Sequence, residues 1–414
     1  MEHISDAARS GVGRRRCSRA VEPPCGGRHR GRCAPWRGWR EVTPAPVVLG
    51  IDFGASKIAT AASGMDGARL ASATVHTRPE LGARAAFDRG IASARALLDG
   101  PAAGHELVAV GVSTIGIPFD DRVELAPTIP GWDSLALGLE LRGAFEGAQI
   151  RLATDVKAAT RAEARWGALA GCDPAIYLNL GTGLAAGIVV GGRVLAGRHG
   201  AAGEIGYNLR AAGDIAAPPG ERQLLEDMVS GQALTRRARA VAGQDIQAAA
   251  IFEASGDDGD DGDDGALRDL VDEFVGELAF HLVNLAVLVD PQRIAVGGGL
   301  VRSWERLRPG LERALAAGVP FPPELVVAAF PFDAPLLGAI ALAIEAASRR
   351  GGGHGEVTRA DGTNTHHVQT EGRRDHSRGP GPSPAGDLAA GPPQATKSAG
   401  ASPLAPGFST EGLP

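Results

Sequence analysis

Cysteine is nearly absent from the body of this chain. Of 4 Cys in 414 residues, Cys17, Cys25 and Cys33 fall in an arginine-rich leader and Cys172 stands alone. That excludes a disulfide scaffold, and the spacing of the first three matches no zinc pattern. A reducing compartment, the cytoplasm, fits best. Long apolar runs are also missing; none approaches the roughly 18 residues that a membrane span needs. The basic start has no apolar stretch behind it, so it does not read as a secretory signal. Nor is positive charge in excess. A formal net charge of -6 gives no overall attraction for nucleic acid or an anionic membrane. What the chain does have is a hydrophobic content of 44%, sufficient for a substantial core.

Composition divides the chain into a body and two tails. Residues 1–45 carry 10 Arg against 4 acidic residues, with much Gly and Pro. Without aliphatic periodicity this reads as a disordered leader rather than a nucleic-acid arm. Residues 350–414 are Gly, Pro, Ser, Thr and charge, a second disordered tail. The Asp-Asp-Gly run from Asp257 to Gly265 lacks the glutamate of a calcium loop and reads as a solvated connection. The body is α/β. An opening meander of strands begins at Pro46, and strands and helices then alternate. We expect one lobe over 46–153 and a second, with inserted helices, over 154–349. A helix is expected over 223–241. Another is expected over 301–317, which Pro309 should break or kink.

Three glycine-rich elements each follow a strand. Asp52-Phe-Gly54-Ala-Ser56-Lys57 offers backbone N–H groups, a hydroxyl and a cation to phosphate oxygens, and Asp52 can hold magnesium through water. Its spacing is not that of a P-loop. In Gly181-Thr182-Gly183 the glycines admit close approach and Thr182 can bond a phosphate. Gly297-Gly298-Gly299 presents a side-chain-free surface fit for an adenine or ribose. Taken alone, each is a weak signal that an ordinary turn or loop also explains; the order of all three, with their strands, is the stronger signal. Asp155, where a short strand meets a helix, suits a catalytic base, and also a helix N-cap.

These motifs together resemble the ROK family of the actin/hexokinase-like ATPases. The residues concerned are Gly50-Ile-Asp-Phe-Gly-Ala-Ser-Lys57, Leu125-Ala-Pro-Thr-Ile-Pro-Gly-Trp132 and Asp155-Val-Lys-Ala-Ala-Thr-Arg-Ala-Glu163. They continue with Leu178-Asn-Leu-Gly-Thr-Gly183, His199-Gly-Ala-Ala-Gly-Glu-Ile-Gly206, Val296-Gly-Gly-Gly299 and Asp333-Ala-Pro-Leu-Leu-Gly338. The resemblance implies two ribonuclease-H-like lobes closing over ATP, Mg2+ and a sugar. It implies Asp155 as the base that activates the sugar hydroxyl. Gly131, Thr154, Asp155, Glu204, Tyr207 and Glu226 would line the sugar pocket. A sugar sensor with little or no turnover is the alternative, and a homodimer is left open.

The chain departs from the family pattern at the sugar side. Tyr207 stands where a zinc-tied His is usual, and no Cys follows Cys172, so no zinc site is expected. The Pro218-Pro219-Gly220 segment and packing would then shape the loop after Asn208. Thr128, Thr154 and Lys157 replace usual Asn residues. From these replacements glucose should be a poor substrate, and a sugar with an anionic or bulkier polar group a better one, met by Lys157. The plainer reading sends Lys157 to solvent.

Overall fold

The computed structural model describes residues 44–218, 220–243, 248–254 and 263–351, all within one compact unit. Most of the leader, the later tail, Pro219 and the Asp257–Gly262 part of the acidic run lie outside the described residues.

The chain opens with β1 (Pro46–Phe53), β2 (Lys57–Gly64) and β3 (Arg69–His76), then α1 (Gly82–Asp99), β4 (Glu106–Thr114) and the small pair β5 (Ile117–Pro118) and β6 (Val123–Glu124). Next come α2 (Leu137–Ala144), β7 (Gln149–Thr154) and α3 (Asp155–Trp166). The second half holds β8 (Ala175–Leu180), β9 (Leu184–Val190), β10 (Arg193–Val194), α4 (Gly231–Ala242), α5 (Ala248–Ala254) and α6 (Asp263–Val289). It ends with β11 (Arg293–Gly297), α7 (Trp304–Gly318), β12 (Glu324–Val327) and α8 (Ala334–Gly351).

Two five-stranded sheets share one topology. The first runs β3-β2-β1-β4-β7 and the second β10-β9-β8-β11-β12. In each, three strands meander antiparallel and two more add in parallel. This is the repeat expected of two ribonuclease-H-like lobes. The turn between β1 and β2 and the turn between β8 and β9 therefore occupy equivalent places in their sheets.

Strand β1 is buried at every position after Pro46, because helices cover both faces of its sheet. On one face Phe53 meets α1, whose Gly90 gives it room: a Cβ there would come within 2.4 Å of the Phe53 ring. On the other face lies α8. Gly50 and Gly111 let its backbone settle on the sheet, where a Cβ on Gly111 would sit 1.9 Å from the Ala339 carbonyl oxygen. The opposite side of α8 meets α3 through Gly338, beneath the Ala158 carbonyl.

Two expected helices differ. The 223–241 segment divides into a 3-10 turn, Leu225–Asp227, and α4, separated by Ser230, whose hydroxyl accepts the Ala233 N–H at 3.1 Å. Helix α7 runs through Pro309 unbroken. Gly310, next to it, brings α7 so close to α6 that a Cβ would lie 2.5 Å from Val275; this packing offsets the one hydrogen bond that Pro309 removes.

Candidate active site

The three parallel strands of the first sheet end together, the usual place for a ligand in an α/β sheet. Asp52, next to last in β1, lies opposite Ser113 of β4, and Thr114 lies opposite Thr154 of β7. The buried Ser113 hydroxyl donates to Asp52 Oδ1 at 2.8 Å. Burial pushes the Asp52 carboxyl up to about 7, with Asp155 adding to the rise and Ser113 and Lys57 opposing it. A carboxyl held this way gains from a cation beside it.

The turn after Asp52 is tightly tied. Gly54 N–H donates to the Lys57 carbonyl at 3.1 Å, the Thr77 hydroxyl to the Gly54 carbonyl at 2.7 Å, and Thr77 N–H to the Ser56 carbonyl at 2.9 Å. The Ser56 and Lys57 side chains remain exposed.

The equivalent turn in the second sheet is pinned from three sides. Gly231 N–H, at the start of α4, donates to the Gly181 carbonyl at 2.9 Å. Leu184 N–H donates to Glu226 Oε2 at 2.7 Å. Gly298 (φ 88°) lies against Leu180, whose carbonyl oxygen would be 2.4 Å from an added Cβ. Gly297 fits against the Tyr177 phenol, 2.3 Å from an added Cβ, whereas an added Cβ on Gly299 meets nothing within 4 Å. Two of the three glycines are thus explained by packing, and Gly299 is the one that faces open space. Thr182 is exposed at the tip of its turn.

Asp155 is not the N-cap. That role falls to Thr154, whose hydroxyl accepts the Lys157 N–H at 3.3 Å. Thr154 is buried, and the cap uses its hydroxyl oxygen as acceptor, leaving the O–H free to donate. Asp155 is the first helical residue; its Oδ1 accepts the Val156 N–H at 2.8 Å. Burial raises its carboxyl to about 6, with the Val156 N–H and Lys157 pulling down and Glu204 pushing up.

Lys157 does not point to solvent. Its side chain is 8% exposed and Nζ lies 3.5 Å from Glu204 Oε1. Burial lowers the ammonium's affinity for its proton, and Glu204 and Asp155 partly restore it. Glu204, at the start of the 3-10 turn Ile205–Tyr207, is raised by burial and by Glu226, and lowered by Lys157. Tyr207 is 51% exposed; partial burial and the charges of Glu226 and Glu204 raise its phenol. The structure thus joins Asp155, Lys157, Glu204, Glu226 and Tyr207 in one electrostatic neighbourhood. Gly131 (φ 77°) sits in the turn ending at Trp132, whose indole N–H donates to the Thr114 hydroxyl at 3.1 Å. That bond sets the turn beside the strand end next to Thr154.

In the loop after Asn208 the Pro218 carbonyl accepts the Glu221 N–H at 2.9 Å, and other contacts add to it. Asp214 accepts the N–H groups of Arg210 and Ala211 at 3.0 and 2.8 Å, and Arg222 Nε donates to the Ala217 carbonyl at 2.8 Å. Arg210 also pairs with Glu277. Among the described residues no three His, Cys, Asp or Glu converge as a metal-holding group, and no helix is long and apolar enough to cross a membrane.

Sequence reasoning gave no role to Glu163. It is fully buried at the far end of α3, and its carboxylate accepts the N–H groups of Ala168 (2.7 Å), Ala329 (3.0 Å) and Phe330 (2.7 Å). It fastens α3 to the segment leading into α8. Ser113 was missed too, since only strand register brings it to Asp52.

The model of the ROK family matches residues 48–346. A kanosamine kinase of Amycolatopsis mediterranei is 30% identical over 214 residues, which span 51% of this chain and 68% of that protein. A glucokinase of Streptomyces coelicolor is 31% identical over 270 residues, 61% of this chain and 82% of that one. Among solved structures, a ROK family glucokinase of Streptomyces griseus in complex with glucose and AMPPNP superposes with a TM-score of 0.58 at 29% identity, covering 72% of this chain and 99% of that chain.

Proposed function

This chain belongs to the ROK family, and from that premise we propose that it is an ATP-dependent sugar kinase with Asp155 as general base. The observation that carries the reading is Asp155 itself. It stands at the N-terminus of α3, where the parallel strands end, with its carboxyl raised to about 6. A base with that proton affinity is ionised at neutral pH yet still basic enough to take a proton from a hydroxyl as it attacks. The helix N-terminus favours its charged form.

In this reading Asp155 accepts the proton of one sugar hydroxyl. The hydroxyl oxygen bonds to the γ-phosphorus of ATP, and the bond from that phosphorus to the β,γ-bridging oxygen breaks, releasing ADP. The turns at Gly54–Lys57 and Gly181–Gly183 orient the phosphates through backbone N–H groups and the Ser56, Lys57 and Thr182 side chains. Gly299 leaves room on the nucleotide side. Glu226 holds the second turn through Leu184 while remaining exposed to the acceptor. Glu204 offers a carboxylate to sugar hydroxyls. Mg2+ fits a site of this kind, where one or two carboxylates and substrate phosphates hold it; Asp52, desolvated and beside Asp155, is the residue to face it. Bound there, the ion would offset the charge of the phosphates.

The similar proteins named as glucokinase and kanosamine kinase support a hexose or hexose derivative as acceptor. A coupled ATP-consumption screen over hexoses, amino sugars, N-acyl sugars and sugar acids tests the proposal. Turnover with at least one of them, lowered roughly 10²-fold or more in Asp155→Asn, is expected. Tight sugar binding with no turnover would mark a sensor instead.

A further inference from the structure

His281 stands where an apolar residue would cost less. It is 6% exposed on α6, between the core residues Leu278 and Leu282. Its Nε2 is buried with no hydrogen-bond partner among the described residues. A polar atom left so costs stability that a Leu would not. The other ring nitrogen is engaged: Nδ1 lies 3.3 Å from Asn208 Nδ2. An amide NH2 group only donates, so Nδ1 accepts and the neutral ring carries its proton on Nε2. Phe280 meets the ring edge-on at 5.1 Å. Glu277 on the same helix and Arg210 on the loop are the charged groups that act on it, and they pair with each other.

Asn208 is itself exposed, but its backbone joins two turns that carry acceptor-side carboxylates. Its N–H donates to the Ile205 carbonyl at 2.9 Å, in the turn that Glu204 opens. Its carbonyl accepts the Leu225 N–H at 3.1 Å, in the turn that holds Glu226. The two turns meet at Gly206, where an added Cβ would come within 3.1 Å of the Glu226 Cβ. We propose that His281 is a positioning residue for the acceptor site: through Asn208 it holds the Glu204 and Glu226 turns in register for a sugar that both carboxylates grip. The proposal rests on the sugar-kinase reading for its ligand class. The Arg210–Glu277 pair keeps the rest of the loop on α6, so removing the imidazole frees Asn208 without freeing the loop. Sugar hydrogen bonds to a carboxylate are worth about tenfold to a hundredfold in affinity each, and they depend on geometry. Loosening the pair should therefore weaken sugar binding about tenfold. Glu204 and Glu226 grip the sugar alike before and during transfer, so the loss falls on KM rather than kcat.

The test measures binding of D-glucose, D-glucosamine, N-acetyl-D-glucosamine, D-glucuronate and AMPPNP by calorimetry on the full chain at pH 7.5, together with kcat and KM. The variants are His281→Leu, His281→Asn, Asn208→Ala and the double variant His281→Leu with Asn208→Ala. For the tightest of the four sugars, His281→Leu should raise Kd and KM about tenfold, with kcat within about threefold, AMPPNP affinity held and Tm no lower than wild type. His281→Asn, whose amide oxygen can accept where Nδ1 does, should restore the sugar affinity to within about threefold of wild type. Asn208→Ala should weaken sugar binding alone and add nothing to His281→Leu, since both remove one contact. Should His281→Leu melt before assay, His281→Met takes its place in the cycle. Unchanged sugar affinity in the His281 variant, additive effects in the double variant, equal losses of sugar and AMPPNP, or no binding of any of these sugars by the wild type would overturn the proposal. The expected pattern of sugar affinities without ATP consumption would leave it standing and remove the kinase reading instead.

Discussion

Replacing Asp155 by Asn separates the two effects of its surroundings. The folded carboxyl titrates at about 6 against 3.8 for the ordinary group. Below about pH 4 the group is protonated whether or not the chain is folded, and its burial has no pH-linked cost. Above that the unfolded chain ionises first, so folding loses stability up to about pH 6, where the loss is complete. Two units at about 1.4 kcal/mol each give a penalty of about 3 kcal/mol at neutral pH. The amide does not ionise, and its oxygen can still accept the Val156 N–H that Oδ1 accepts at 2.8 Å. Asp155→Asn should therefore unfold like wild type near pH 4 and be more stable by about 2–3 kcal/mol at pH 8, read from urea midpoints across that range. Its kcat on the best sugar should fall by roughly 10²-fold or more. Wild-type kcat/KM should itself decline as pH drops through about 6. A variant no more stable than wild type at pH 8 would refute the burial argument, and one with near-normal turnover would refute the base.

Glu163→Ala removes a fully buried carboxylate that accepts three N–H groups and should cost about 3 kcal/mol by thermal melting, with Glu163→Gln between it and wild type. Gly298→Ala forces a Cβ to within 2.4 Å of the Leu180 carbonyl oxygen at φ 88°; fluorescent nucleotide titration should show affinity reduced more than tenfold alongside a lower Tm. His281 is buried among Glu277, Arg210 and Asn208, and burial depresses its imidazole below the usual 6.5. The unfolded chain takes up that proton first, so stability present above pH 6.5 should be lost as pH falls, and His281→Leu should flatten the slope between pH 6.5 and 5.

The glycine turns and Asp155 were legible in the sequence because each is local. A strand's apolar run ends in a turn, and a helix starts, within a few residues. The α/β class followed from the same runs, while the two ribonuclease-H-like sheets came with the family resemblance. Partners far apart in the chain were not legible. Ser113 reaches Asp52 across 61 residues only through the β1–β4 register. Glu163 meets the Ala329 N–H across 166. Lys157 could be read toward the acceptor or toward solvent, because nothing nearby in sequence shows that Glu204 will face it. The Thr154 cap was available, since Thr is a favoured cap and directly precedes the helix. Pro309 misled because propensity says nothing of the packing between α6 and α7.

Helix α8 also sets the order in which the molecule can be made. The first sheet is complete in sequence by Thr154, yet one face, with Val48, Ala61 and Ala109 at its centre, is covered by Leu336, Ile340 and Ala343. During synthesis that face stays bare until the whole second sheet has left the ribosome. The glycines that admit α8 so closely leave the strands with little side chain of their own to hide the surface meanwhile. Closure of the first lobe is thus a late, long-range event, the slow kind in folding, and a nascent chain stalled before Ala334 would present a flat apolar sheet to chaperones and to its neighbours.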